Sequence, residues 1–64
     1  MSETGKIIQE LRIKSGFTQK SLAEVLHVTD KAISKWERGI NLPDASLYKP
    51  LCDIFNITMD ELMA

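Results

Sequence analysis

The feature that most constrains this chain is its punctuation. Four positions, Gly16, His27, Gly39 and Asn56, are placed to end helices, because the residue just past a helix often takes a left-handed conformation. Five positions, Thr4, Thr18, Thr29, Asp44 and Thr58, are placed to begin them, since a short side-chain oxygen can accept from the exposed amides of a first turn. Stops and starts alternate, which predicts helices over about residues 4–15, 18–26, 29–38, 44–55 and 58–63. No stretch shows the strict alternation of a strand. The expected fold class is therefore all-α.

Three of the starts carry a hydrophobic staple, an apolar residue before the cap paired with one four residues after it. The pairs are Phe17 with Leu22, Val28 with Ile33, and Ile57 with Leu62. Glu61 sits at the third helical position after Thr58, which completes a capping box. Apolar spacing gives a core of Ile8, Leu11, Leu22, Ala23, Leu26, Ile33, Trp36, either Leu47 or Tyr48, then Leu51, Cys52 and Phe55. Pro50 removes a backbone hydrogen bond wherever it lies inside a helix, so an irregular first turn is expected over residues 44–49.

Sixty-four residues suffice for one domain, spanning 1–64. With one Cys and one His, neither an intramolecular disulfide nor a Cys/His zinc cluster can form, so helix packing and good helix ends must supply the stability. The lone thiol of Cys52 is read as an inert core group and fits a cytoplasmic setting. No apolar run is long enough for a membrane span, and residues 1–15 lack a signal peptide's apolar stretch. No metal, cofactor or small-molecule ligand is indicated. There is no phosphate loop and no Ser/His or Cys/His arrangement for catalysis, so no enzyme is expected.

Net charge is −1, but it is unevenly spread. Residues 1–39 hold seven Lys/Arg against five acids, and residues 40–64 hold one Lys against four acids. An anionic partner should meet the first part.

The segment from Gln19 to Arg38 reads as a short helix, a tight turn at Leu26–His27–Val28, and a second helix, a helix-turn-helix over about residues 18–38. On the second helix Ile33 and Trp36 face inward. Thr29, Asp30, Lys31, Ser34 and Lys35 fall on or near the free side, where they can hydrogen-bond base edges. Gln19 and Lys20 lie at the positive end of the first helix, a natural phosphate seat.

The chain resembles the Cro and lambda-repressor-like helix-turn-helix family from about Gly5 to Leu62. The resemblance runs through Leu11-Arg12, Gly16-Phe17-Thr18-Gln19, Leu22-Ala23, Val28-Thr29 and Ile33-Ser34-Lys35-Trp36-Glu37-Arg38-Gly39. It continues through Leu42-Pro43-Asp44, Ile57 and Glu61-Leu62. It implies a compact five-helix domain from a bacterium or phage. It implies binding of double-stranded operator DNA in transcription regulation, as a repressor, with helix 29–38 in the major groove and two copies on a two-fold operator. It also implies that Gln19 touches a phosphate and that Arg12 and Glu37 form an internal ion pair. Thr29, Asp30, Lys31, Ser34 and Lys35 take the base- and backbone-facing positions.

Four readings stay open in the sequence. His27 stands where the family usually has Gly; it is either a tolerated strained turn residue or a phosphate contact or pH switch. Asp30 either serves the helix start or accepts from a cytosine amino group. Arg38 either contacts phosphate or favours its helix's negative end. The apolar loop Ile40–Asn41–Leu42 either packs against the fourth helix or joins Met59 and Met63 in a dimer contact. The alternative function is a protein-interaction module of the same fold, or an antitoxin-type autorepressor, with weak or no DNA binding.

Overall fold

The structure, a computed structural model, describes residues 3–63; the predicted domain bounds of 1–64 reach beyond these at both ends. Five α-helices follow one another: α1 (Thr4–Lys14), α2 (Gln19–Leu26), α3 (Asp30–Glu37), α4 (Tyr48–Phe55) and α5 (Met59–Leu62). A 3-10 turn, Ala45–Leu47, runs straight into α4. There is no strand among the described residues.

All four predicted stops are left-handed: φ is 82° at Gly16, 60° at His27, 76° at Gly39 and 55° at Asn56. Each is closed by the same bond, from the next residue's N–H to the carbonyl five residues back. Phe17 donates to Arg12 at 2.9 Å, Val28 to Ala23 at 3.0 Å, Ile40 to Lys35 at 2.9 Å and Ile57 to Cys52 at 3.0 Å. Two residues after three of these stops a threonine opens the next helix. Thr18, Thr29 and Thr58 accept from the N–H groups of Ser21, Ala32 and Glu61. Each such cap is worth about 1 kcal/mol. The Thr58–Glu61 capping box is present as expected. A second box, Thr18–Ser21, was not foreseen because a serine does the reciprocal bonding in place of the usual Glu or Gln.

The predicted cap at Thr4 is a correction. Glu3 holds the N-cap position without a side-chain bond, and Thr4 is the first helical residue, only 3% exposed. The start of α1 is packed into the protein, so the threonine is an interior residue there. Its neighbour Gly5 is buried too, and a Cβ at that site would collide with the main-chain carbonyl oxygen of Trp36. The glycine thus allows α1 to approach the end of α3 at backbone distance.

Pro50 behaves as expected. The chain turns through the 3-10 segment first, and α4 begins only at Tyr48. Pro50 then lies in the first turn, where its missing N–H has no helical acceptor to serve. Asp44 caps the 3-10 turn, its Oδ2 accepting from the Ser46 hydroxyl at 2.6 Å and the Ser46 N–H at 3.1 Å. These bonds hold the Asp44 carboxyl below the usual carboxylate range.

Ile8, Leu22, Ile33, Leu51 and Leu62 are fully buried, and Ala23, Leu26, Trp36, Cys52 and Phe55 complete the interior. Leu11, Leu47 and Tyr48 pack half-buried against them. The staple residues Phe17, Val28 and Ile57 do the same. Phe17 meets Phe55 edge-to-face with ring centroids 6.3 Å apart, which ties the junction before α2 to α4.

Of the two readings left open for the Ile40–Asn41–Leu42 loop, packing against the fourth helix is not found: Ile40 and Leu42 are 56% and 59% exposed. Their position explains it. Phe17, Val28 and Ile57 each stand between a left-handed stop and a threonine cap, so a new first turn lies beside them. Ile40 follows such a stop, but the chain goes on through Asn41, Leu42 and Pro43 before Asp44 starts the next turn. It has no neighbouring first turn to staple, and Pro43 is the loop residue that is buried.

Candidate nucleic-acid interface

The site is built around the two faces of α3. Ile33 and Trp36, 0% and 5% exposed, turn into the core. Asp30, Lys31, Ser34, Lys35 and Arg38 recur at spacings of one, three and four, which puts them together on the opposite face. Asp30, Lys31, Lys35 and Arg38 are exposed, and Ser34 is half-buried. Eight residues make α3, and an α-helix with its side chains is about 10–12 Å across, comparable with the width of a DNA major groove.

Thr29 serves as the cap of α3: its hydroxyl oxygen accepts from Ala32 N–H at 3.1 Å. That resolves the structural half of the Asp30 question. The capping bond belongs to Thr29, and the side chain of Asp30, the first helical residue, has no hydrogen bond or ion pair among the described residues. At this helix's positive end an unpaired carboxylate is still favoured by the dipole. Arg38 bends back along its own helix, Nε donating to the Ser34 hydroxyl at 3.1 Å and the Ser34 carbonyl at 3.3 Å. This gives the dipole reading of Arg38 a geometry, and places Ser34 and Arg38 as one polar unit.

At α2, the Thr18 hydroxyl takes the Ser21 N–H. The first-turn amides of Gln19 and Lys20 are left to other acceptors, at the helix end that favours anions. Lys20 is exposed and Gln19 half-buried. The Gln19 side chain has an internal partner that sequence reasoning missed: its Nε2 donates to Glu37 Oε1 at 3.0 Å. Nothing in the local pattern of either residue signals this contact, which joins positions 18 apart.

The expected Arg12–Glu37 ion pair is present and fork-shaped. Arg12 Nε donates to Oε2 at 2.6 Å and Nη2 to Oε1 at 3.2 Å, with the side chains 12% and 2% exposed. Arg12 Nη1 also donates to the Phe17 carbonyl at 3.0 Å, so one guanidinium links α1, the junction before α2, and the end of α3.

The remaining chemistry-bearing residues lie elsewhere. His27 is the exposed left-handed residue of the turn. Cys52 is buried, its Sγ 3.6 Å from Met59 Sδ, and burial pushes its thiol up. No group of three or more His, Cys, Asp or Glu among the described residues could hold a metal ion. No helix among them is long and apolar enough to cross a membrane.

Known proteins resemble this chain in fold and in sequence. The fold matches the restriction-modification controller protein C.AhdI from Aeromonas hydrophila with a TM-score of 0.82, over 95% of this chain and 92% of that one, at 24% identity. The HTH-type transcriptional activator BcrR of Enterococcus faecalis is 40% identical over 62 residues, which is 97% of this chain and 30% of that protein. The HTH-type transcriptional regulator ImmR of Bacillus subtilis is 36% identical over 59 residues, 92% of this chain and 46% of that protein. The chain thus spans less than half the length of these two curated relatives. The helix-turn-helix family model matches residues 8–62, from the middle of α1 to the end of α5. The chain therefore belongs to the helix-turn-helix family, and its relatives are transcriptional regulators.

Proposed function

We propose that the chain binds double-stranded DNA sequence-specifically in transcription regulation, with α3 in the major groove. The observation that carries this reading is the outward face of α3. Asp30, Lys31 and Lys35 are exposed there while Ile33 and Trp36 hold the helix in the core. Lys31, Lys35, Ser34, Thr29 and Asp30 are the residues offered to base edges and adjacent backbone, and Gln19, Lys20 and Arg38 those offered to phosphates. Asp30 would favour a cytosine amino group, because a carboxylate can only accept. With Lys20, Lys31, Lys35 and Arg38 as the cationic contacts, log K should fall with log salt at a slope of about −3 to −4 per protomer.

Repression follows if the bound site overlaps a promoter. One relative is named an activator, and the direction of control then depends on where the site lies. Two copies on a two-fold site would give the half-site spacing of about one helical turn. Ile40 and Leu42, with Met59 at 44% and Met63 at 57% exposure, supply apolar surface for such a contact. The same residues favour the second reading, a protein-interaction module.

Selection from a random duplex library at low salt, with sequencing of the bound fraction, tests the proposal. An enriched motif, especially an inverted repeat, supports it. No enrichment would shift the reading to protein contact. Sedimentation over a concentration series tests the pairing of copies, and a monomer throughout the micromolar range in the absence of DNA would limit pairing to the operator.

A further inference from the structure

We infer that Glu37 is a positioning residue for phosphate binding, acting through Gln19; this rests on the DNA-binding reading above. The geometry is a three-way junction. Glu37 Oε1 accepts from both Gln19 Nε2, at 3.0 Å, and Arg12 Nη2, at 3.2 Å, while Oε2 is taken by Arg12 Nε at 2.6 Å.

A side-chain amide can turn either its oxygen or its NH2 group toward a neighbour, and the two ends have opposite uses. An ionised carboxylate only accepts, so Glu37 selects the NH2 end of Gln19. One N–H is spent on Glu37 and the second remains to be donated. Gln19 is also the first residue of α2, so its main-chain N–H has no helical acceptor. The residue thus holds two donors in a fixed orientation at the end of α2 that attracts anions, the chemistry a phosphate oxygen requires.

Without Glu37 the same side chain would present its oxygen for part of the time, which repels a phosphate. An acid near a DNA-binding surface is ordinarily a cost. Arg12 offsets that charge through its fork and is itself held by the Phe17 carbonyl at 3.0 Å. Only 2% of the Glu37 side chain is exposed, so the pair acts from beneath the surface.

The experiment is a thermodynamic cycle on the selected duplex, using the wild type, Gln19→Ala, Glu37→Gln and the double variant, each shown to be folded by thermal unfolding. Glu37→Gln is expected to weaken binding about 3- to 10-fold, the range of one hydrogen bond. In the Gln19→Ala background that effect should shrink to below about 2-fold, because the two sites share one interaction. Gln19→Ala should leave the salt slope unchanged, since it removes no charge. Equal weakening in both backgrounds would overturn the inference while leaving DNA binding intact. If the wild type binds no duplex, the DNA reading fails and this one with it.

A second measurement needs only the wild type and does not depend on Glu37→Gln folding. Of the two Gln19 side-chain N–H signals in NMR spectra, one is expected to be protected in the free protein and the other to shift when duplex is added. A pair of solvent-like signals, neither shifting, would overturn the inference.

Discussion

At its first turn α3 offers Asp30 and Lys31 to solvent, and its one local side-chain anchor is the Thr29 cap. At its last turn the same helix is gripped. The Trp36 ring is buried, its carbonyl lies against Gly5 of α1, and the Glu37 carboxylate is taken by Arg12 of α1 and Gln19 of α2. The difference teaches how so short a helix can be both rigid and available. Its orientation is set by Ile33, Trp36 and Glu37, groups turned away from solvent. The side chains on the outward face are then released from structural duty and can be chosen for what they bind. Stability and affinity should therefore separate along α3.

The strongest way to break the comparison is Gly5→Ala. The added methyl meets the Trp36 carbonyl, a main-chain atom that cannot rotate aside. The expected loss is about 3 kcal/mol or more, visible as a fall in melting temperature of roughly 12 °C or more for a domain of this size. A melting temperature within a few degrees of the wild type would mean that the last turn of α3 is not held by α1.

Arg12→Ala comes next. It leaves Glu37, at 2% exposure, without its cationic partner. Breaking a buried pair costs about 3 to 5 kcal/mol, and the 12% exposure of Arg12 favours the lower end of that range. Denaturant unfolding measures it, and the loss should exceed that of any single substitution at the exposed positions of the first turn.

Lys31→Ala in the first turn and Lys35→Ala on the outward face of the last turn sharpen the comparison from the binding side. Each should leave stability within about 0.5 kcal/mol of the wild type. On the selected duplex each lysine that touches phosphate should, when removed, flatten the salt slope by about 1; one that reads a base should instead relax preference at one base pair. A large loss of thermal stability in either variant would contradict the division of labour.

A gain smaller than either of the first two losses is expected just before α3. His27 holds φ at 60° with a side chain that favours other conformations. His27→Gly should stabilise by about 1 kcal/mol, or roughly 4–8 °C in melting temperature. A clear fall would show that the imidazole has a binding or packing role.

Much of this molecule was legible in the chain because helix ends are local. A left-handed stop, an apolar staple and a threonine cap are consecutive residues, as at Gly16-Phe17-Thr18, His27-Val28-Thr29 and Asn56-Ile57-Thr58. Their chemistry needs nothing distant, and the structure places all three junctions as expected. The inward and outward faces of α3 follow from its periodicity in the same way. Misreadings came where the local signal was right and the surroundings decided otherwise. Thr4 has the composition of a cap, yet the start of α1 is packed inside. The question left open at the Ile40–Asn41–Leu42 loop was decided by its surroundings too: Ile40 follows a stop as Phe17 does, but no first turn comes next to cover it.

The sequence by itself determined five short helices, their junctions, the apolar face of each and a basic first part, because propensity, capping and periodicity act over a few residues and are written in order. Only the tertiary structure decided that Gly5 must be small and that Glu37 joins Gln19 to Arg12. It also decided that the Ile40–Leu42 loop lies open. The physical reason is range. Gly5 and Trp36, or Gln19 and Glu37, are far apart in the chain, and whether they touch depends on how helices cross once the core of Ile8, Leu22, Ile33, Leu51 and Leu62 has closed.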